Sequence, residues 1–242
     1  MRHSTSQAAI IVMVLAASAG AGTIRGVVQS DHAPAPKVAD RYDGAKGAKP
    51  MGSIPTVVYL EGPVAGHAPA APANAPVIVQ KDLAFAPTLL VVPPGASVGF
   101  PNQDKEFHNV FSYSPTKRFD LGRYPKGESK SVTFDKPGIV KIYCEIHEFM
   151  RAAVVVVENP FHTVAGSDGS FTLEGVPPGE YRLVVWNIDR GSKKTTVRVT
   201  DAADPPVVVR LARHDPTVPV EAVSVLALGD APPAPGGCCA LP

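Results

Sequence analysis

Polar and apolar side chains alternate over short stretches of this chain, and no stretch shows a sustained helical period. Residues 23–29 (Thr-Ile-Arg-Gly-Val-Val-Gln) alternate in twos, the mark of a strand whose side chains point to opposite faces in turn. Residues 56–60, 77–80, 89–92, 97–102, 107–113, 130–134 and 139–143 read the same way or as compact apolar runs. The Val-rich run 152–157 and the segments 163–165, 170–173, 181–186, 195–200 and 206–211 follow. Turn chemistry separates them: Pro93-Pro94-Gly95, Lys136-Pro137-Gly138, Ser167-Asp168-Gly169 and Val176-Pro177-Pro178-Gly179. Residues 30–53 mix Pro, Gly, Ala and Lys without period and predict a loop, as do residues 114–127. Many short strands between turn signals predict an all-β chain built of sandwiches.

Composition sharpens that picture. The first residues place Arg2 and His3 before an apolar block, Ala8 to Ala17, and small residues follow through Ala21. A charged start, a block too short to span a bilayer and an A-x-A pattern predict a signal peptide over residues 1–21, with an uncleaved anchor as the alternative. No later segment is apolar for long enough to span a membrane, so export to the periplasm without a transmembrane segment is the expectation. The 23 Lys and Arg nearly balance the 22 Asp and Glu, and no cationic run offers a nucleic-acid surface. Residues 63–76, rich in Ala and Pro, read as a semi-extended linker, and residues 214–242 as a Pro-rich tail. That tail holds the adjacent Cys238 and Cys239, whose purpose the sequence leaves open.

Chemistry concentrates in one place. Cys144, His147 and Met150 follow one another at intervals of three, between an alternating strand and a Val-rich one, and His108 stands at an earlier strand end. Singly, such a Cys is a small buried apolar residue, such a Met is core filler and such a His belongs to a turn. Together, two imidazoles, a thiolate and a thioether form a set that selects copper over zinc or calcium. The strand–loop–strand setting and this spacing resemble the cupredoxins, most closely the amicyanin type, from Pro101-Asn102 through His108-Asn109-Val110 to Cys144-x2-His147-x2-Met150-Arg151. The resemblance covers residues 77–158 and implies a Greek-key β-sandwich holding one type 1 copper ion. It makes His108, Cys144 and His147 the equatorial ligands and Met150 the axial one. It assigns to Asn109 a backbone N–H bonded to the cysteine sulfur and a side chain joining the two ligand loops. Ile146 and Glu148 stand where amicyanins carry prolines. Glu145 and Glu148 are expected to favour a protonated His147.

Residues 169–183 resemble carboxypeptidase regulatory-like domains, small sandwiches of the transthyretin type, and residues 22–62 supply the strands that precede this turn in that family. Two arrangements follow. Either residues 22–62 and 159–213 form one split sandwich with the cupredoxin inserted, or the two domains stand in tandem. On the split reading, residues 77–158 should fold alone.

For function the resemblance implies a one-electron carrier, not an enzyme, with redox proteins as partners: a dehydrogenase of the methylamine-utilising kind and a cytochrome c. A copper oxidase or nitrite reductase needs further His pairs such as H-x-H, and a binuclear purple centre needs two Cys on the loop; the sequence has neither. The alternative is a copper-binding or surface recognition module in which the second sandwich does the work.

Overall fold

The computed structural model describes residues 20–30, 54–200 and 204–211. The expected signal segment up to residue 19, the insertion from residue 31 to 53 and the tail with Cys238 and Cys239 lie outside the described residues. Among these the protein is all-β: β1 (Gly22–Ser30), β2 (Val57–Leu60), β3 (Val79–Lys81), β4 (Ala84–Ala86), β5 (Leu89–Val92), β6 (Ala96–Pro101), β7 (His108–Ser114), β8 (Lys117–Tyr124), β9 (Ser129–Phe134), β10 (Gly138–Tyr143), β11 (Arg151–Val156), β12 (His162–Val164), β13 (Ser170–Val176), β14 (Gly179–Asn187), β15 (Gly191–Val199) and β16 (Val207–Leu211). No helix among them is long and apolar enough to cross a membrane.

The strands stack in four layers. A three-stranded sheet, β13-β1-β16, is followed by a four-stranded sheet, β12-β2-β14-β15. Next comes a five-stranded sheet, β5-β11-β10-β7-β8, and then the two-stranded pairs β6-β9 and β3-β4. Each gap between layers is filled by its own apolar core. The outer core joins Ile24, Val28, Phe171 and Leu173 to Val58, Leu60, Leu183 and Val185. The inner core, at the other end of the stack, joins Val98, Phe100 and Phe134 to Val140, Ile142, Ala152, Val154 and Val156. Between them a middle core sets Val57, Tyr59, Val184 and Trp186 of the second layer against Ala153, Val155, Leu89 and Val91 of the third.

This layering explains sequence runs that do not alternate. In β2 the four residues are all buried: Val57 and Tyr59 face the middle core, Val58 and Leu60 the outer one. In β11 Ala152, Val154 and Val156 face the inner core, whereas Ala153 and Val155 face the middle one. A strand buried on both sides has no solvated face to be polar on.

Chain connectivity is discontinuous between the layers. β1 pairs with β13 and β16, and β2 pairs with β12 and β14. All strands from β3 to β11 pair among themselves, so the first two layers are woven from both ends of the described chain. The junction of β1 with the turn before β13 is close: Val28 donates its N–H to the carbonyl of Gly169 at 2.8 Å. Gly169 has φ +83° and its missing Cβ leaves room for the Val28 carbonyl, a position only glycine fills without strain.

Two expectations differ from the structure. Residues 114–127 are not an irregular loop, since β8 occupies most of them and pairs with β7. Its alternation is there in Phe119 and Leu121, which pack on the inner core, but the charged Lys117, Arg118, Asp120 and Arg123 of the same strand mask it. Residues 63–76 begin as packed structure: Val64 enters the outer core and bridges to His67, whose ring lies 5.3 Å from that of Phe161.

Candidate metal centre

The loop between β10 and β11 carries three of the four sequence-selected side chains, and the start of β7 carries His108. β10 and β11 are antiparallel, with Tyr143 opposite Arg151, so residues 144–150 form a closed loop. Inside it Met150 donates its N–H to the His147 carbonyl at 2.8 Å, and Cys144 donates to the Met150 carbonyl at 3.3 Å. The fold brings His108, Cys144 and His147 together: one ligand atom from each lies within 4.8 Å of the others. His108 Nδ1 is 3.0 Å from His147 Nδ1 and 3.9 Å from Cys144 Sγ. His108 is fully buried, Cys144 is 3% exposed, and Met150 sits in the inner core beside Cys144. His147 is half-buried at the edge, its ring packed near those of His108 and Phe149. Phe107 and Ile146, sequence neighbours of the two histidines, are exposed.

A buried scaffold fixes His108. Its Nε2 lies 2.9 Å from Asp104 Oδ2, which assigns the ring proton to Nε2 and leaves the Nδ1 lone pair aimed at the cluster. Asp104 in turn accepts the N–H groups of Asp82 at 2.6 Å and Leu83 at 2.9 Å. Those two residues hold φ of 53° and 56°, a left-handed turn that points successive N–H groups at one carboxylate. Asn102 shapes the same loop, accepting the Asp104 N–H and donating to the carbonyls of Glu106 and Tyr124. The second loop is tied to the first by Asn109, whose Oδ1 accepts the Glu145 N–H at 2.7 Å.

Electrostatics follow from these contacts. Burial pushes the Cys144 thiol up, but contact with His108 and the N–H groups of Asn109, His147 and Ile146 outweigh it and hold the thiol below its ordinary value. Burial pulls His108 down, but the Cys144 sulfur and the Asp104 carboxylate together raise it. The sulfur and the carboxylate flank the His108 ring on either side, an arrangement that suits a soft-ligated cation at the Nδ1 edge. Two imidazole nitrogens and a thiolate, converging from a buried scaffold, fit a copper ion.

Glu145 and Glu148 do not act as their sequence position predicts. Glu145 is drawn off by Arg123, with Nε 2.7 Å from its Oε1. The acids that raise His147 are Glu106 and Asp104, and burial and the neighbouring His108 outweigh them, so His147 stays below its ordinary value.

Sequence reading missed Asp104 and the Asp82–Leu83 turn. The one available signal is an acid four residues before the histidine, and nothing in the sequence marks its partners 21 and 22 positions away. Removing it should be costly. Asp104→Ala leaves two backbone N–H groups and the His108 ring unpaired, a loss of about 2–3 kcal/mol. Urea melts of the metal-free protein check this; a loss below roughly 1 kcal/mol would mean the turn is held by something else.

Residues 75–157 match the family described as copper binding proteins, plastocyanin/azurin family. No curated protein matches the chain. Among solved structures, a copper-containing nitrite reductase from Thermus scotoductus is 27% identical over 40% of this chain and 25% of its own, with a TM-score of 0.34. A reduced amicyanin with a tryptophan-to-tyrosine substitution is 26% identical over 36% of this chain and 85% of its own, with a TM-score of 0.33. A purple cupredoxin from Nitrosopumilus maritimus is 24% identical over 34% of this chain and 98% of its own, with a TM-score of 0.31. Family match and ligand cluster fall on the same strands, and residues 75–157 are a copper-binding cupredoxin domain of the plastocyanin/azurin family.

Proposed function

We propose that this protein is an exported, periplasmic one-electron carrier and not an enzyme, with His108, Cys144 and His147 as equatorial ligands and Met150 as the axial one. The observation that carries this is the convergence of three ligand atoms within 4.8 Å on a braced scaffold. Copper, when bound, supplies a one-electron couple. The chain supplies the rest: Asp104 and Asn109 hold the ligands in a fixed geometry, which keeps reorganisation between oxidation states small. His147 stands half-buried, its ring against that of Phe149, and the next residue back, Ile146, is exposed, giving a partner an apolar approach to a ligand edge. Redox proteins, a dehydrogenase of the methylamine-utilising kind as donor and a cytochrome c as acceptor, are the partners this reading names. The first two layers, read as a split regulatory-like sandwich comprising residues 22–62 and 159–213, serve stability and docking.

The test is direct. Copper-loaded protein should show an intense visible thiolate-to-copper band, and its reduced form should pass an electron to oxidised cytochrome c at about 10⁵ M⁻¹s⁻¹ or faster. A coloured protein that exchanges electrons with neither partner class would favour the other reading, a copper-binding or surface recognition module.

A further inference from the structure

The ligand loop ends on a residue that the second layer holds. Arg151, directly after Met150, opens β11, and its Nη1 lies 2.8 Å from Oδ1 of Asp189. Asp189 belongs to the tip between β14 and β15, a part of the chain with no role in ligation. That tip is itself braced. Asn187, 7% exposed, accepts the Asp189 N–H at 3.0 Å and donates to the Ile54 carbonyl at 2.7 Å and to Thr56 Oγ1 at 3.3 Å. Arg190 donates its N–H to the Asn187 carbonyl. Behind the ion pair, the middle core packs Trp186 and Ile188 with Ala153 and Val155 of β11, so the tip cannot slide along that strand.

We propose that Asp189 is a positioning residue for the copper loop: through Arg151 the β14–β15 tip fixes where the loop closes, and the second sandwich thereby sets the ligand geometry of the first. Both partners are partly exposed, Arg151 at 30% and Asp189 at 43%, and such a pair adds little to global stability. Its consequence is orientation. Arg151 is held at the base of the loop, where Tyr143 pairs with it and the Cys144 N–H reaches the Met150 carbonyl. Without the carboxylate the arginine is free to swing, and the loop loses its anchor on the β11 side.

This rests on the copper-site reading, so the test is read first without metal. Hydrogen exchange is followed by mass spectrometry across residues 144–151 of the full metal-free chain. Asp189→Ala should speed exchange there roughly tenfold, with the melting midpoint unchanged, and Asp189→Glu should return it toward the parent rate. Glu61→Gln is the control, because Glu61 pairs with Arg182 and Lys194 inside the second layer; it should leave the loop's exchange alone. In copper-loaded protein Asp189→Ala should also shift the position and intensity of the visible bands. Unchanged exchange in the Ala variant overturns the proposal, and so does exchange that rises throughout both sandwiches as the midpoint falls. A loop that loosens as expected in a protein that never turns blue leaves the clamp standing and removes the copper reading instead.

Discussion

Cys144→Ser should abolish the thiolate-to-copper band while leaving the protein folded. The Cys144 thiol is held below its ordinary value because His108 and three backbone N–H groups surround the sulfur and outweigh burial. A serine hydroxyl in that place keeps its proton at neutral pH, and its oxygen is a hard ligand that does not select copper in the way a thiolate does. Serine is smaller than cysteine but has the same shape, and a hydroxyl at this site accepts from the same N–H donors, so the fold loses little by the change. The expected result is a protein without the intense band, whose far-ultraviolet circular dichroism matches the parent and whose midpoint lies within a few degrees of it. If the band survives, the colour comes from another ligand and the assignment of Cys144 fails.

Trp186→Ala carries the largest expected loss of stability. Trp186 is 3% exposed and fills the middle core, with Val184 and Val57 beside it and Val155 across from it. Truncating a buried tryptophan costs about 3–5 kcal/mol through lost transfer free energy and the cavity left behind. In a chain of this size that lowers the melting midpoint by roughly 10 °C. The cavity opens between two sheets that belong to different sandwiches, which gives the prediction a second part. The parent should unfold in one calorimetric transition, and the variant in two, the copper-bearing layers separating from the others. A variant whose copper band bleaches at the parent's temperature, while the rest melts earlier, shows the same uncoupling. A variant that melts at the parent's midpoint by both measures shows that the middle core does not join the sandwiches.

The sequence and the structure agree most closely where chemistry is local. Cys144, His147 and Met150 lie on one loop, so their spacing survives in the sequence as three residue types at fixed intervals, and His108 with Asn109 is legible by its place at a strand end. The bracing of the site is legible only in part. Asn109 follows from the family likeness, whereas Asp104 reaches donors at Asp82 and Leu83, and contacts of that kind leave no periodicity behind. The acids around His147 show the converse: though neighbours in sequence, neither Glu145 nor Glu148 raises it, and Glu145 pairs instead with Arg123. For the fold, alternation exposed most strands but not β8, where charged residues on the solvent side crowd Phe119 and Leu121. Continuous apolar runs in β2 and β11 reflect burial on both faces. They could not announce what lay on the second face, since the facing residues are far apart in the chain: Val57 and Tyr59 of β2 meet Ala153 and Val155 of β11.

The middle core carries a consequence for any attempt to handle the copper-bearing layers separately. Leu89, Val91, Ile139, Ala153, Val155 and Val157 form one apolar stripe, wholly or partly shielded from water because the neighbouring sheet covers it. Cut free at residues 77 and 158, the cupredoxin would keep all its ligands and its own inner core, yet turn that stripe to water. A sheet face of this kind is sticky, and the isolated piece would associate with its own copies. Replacing Val91 and Val155 with lysine or glutamate would give it the water-facing side that a free-standing domain needs.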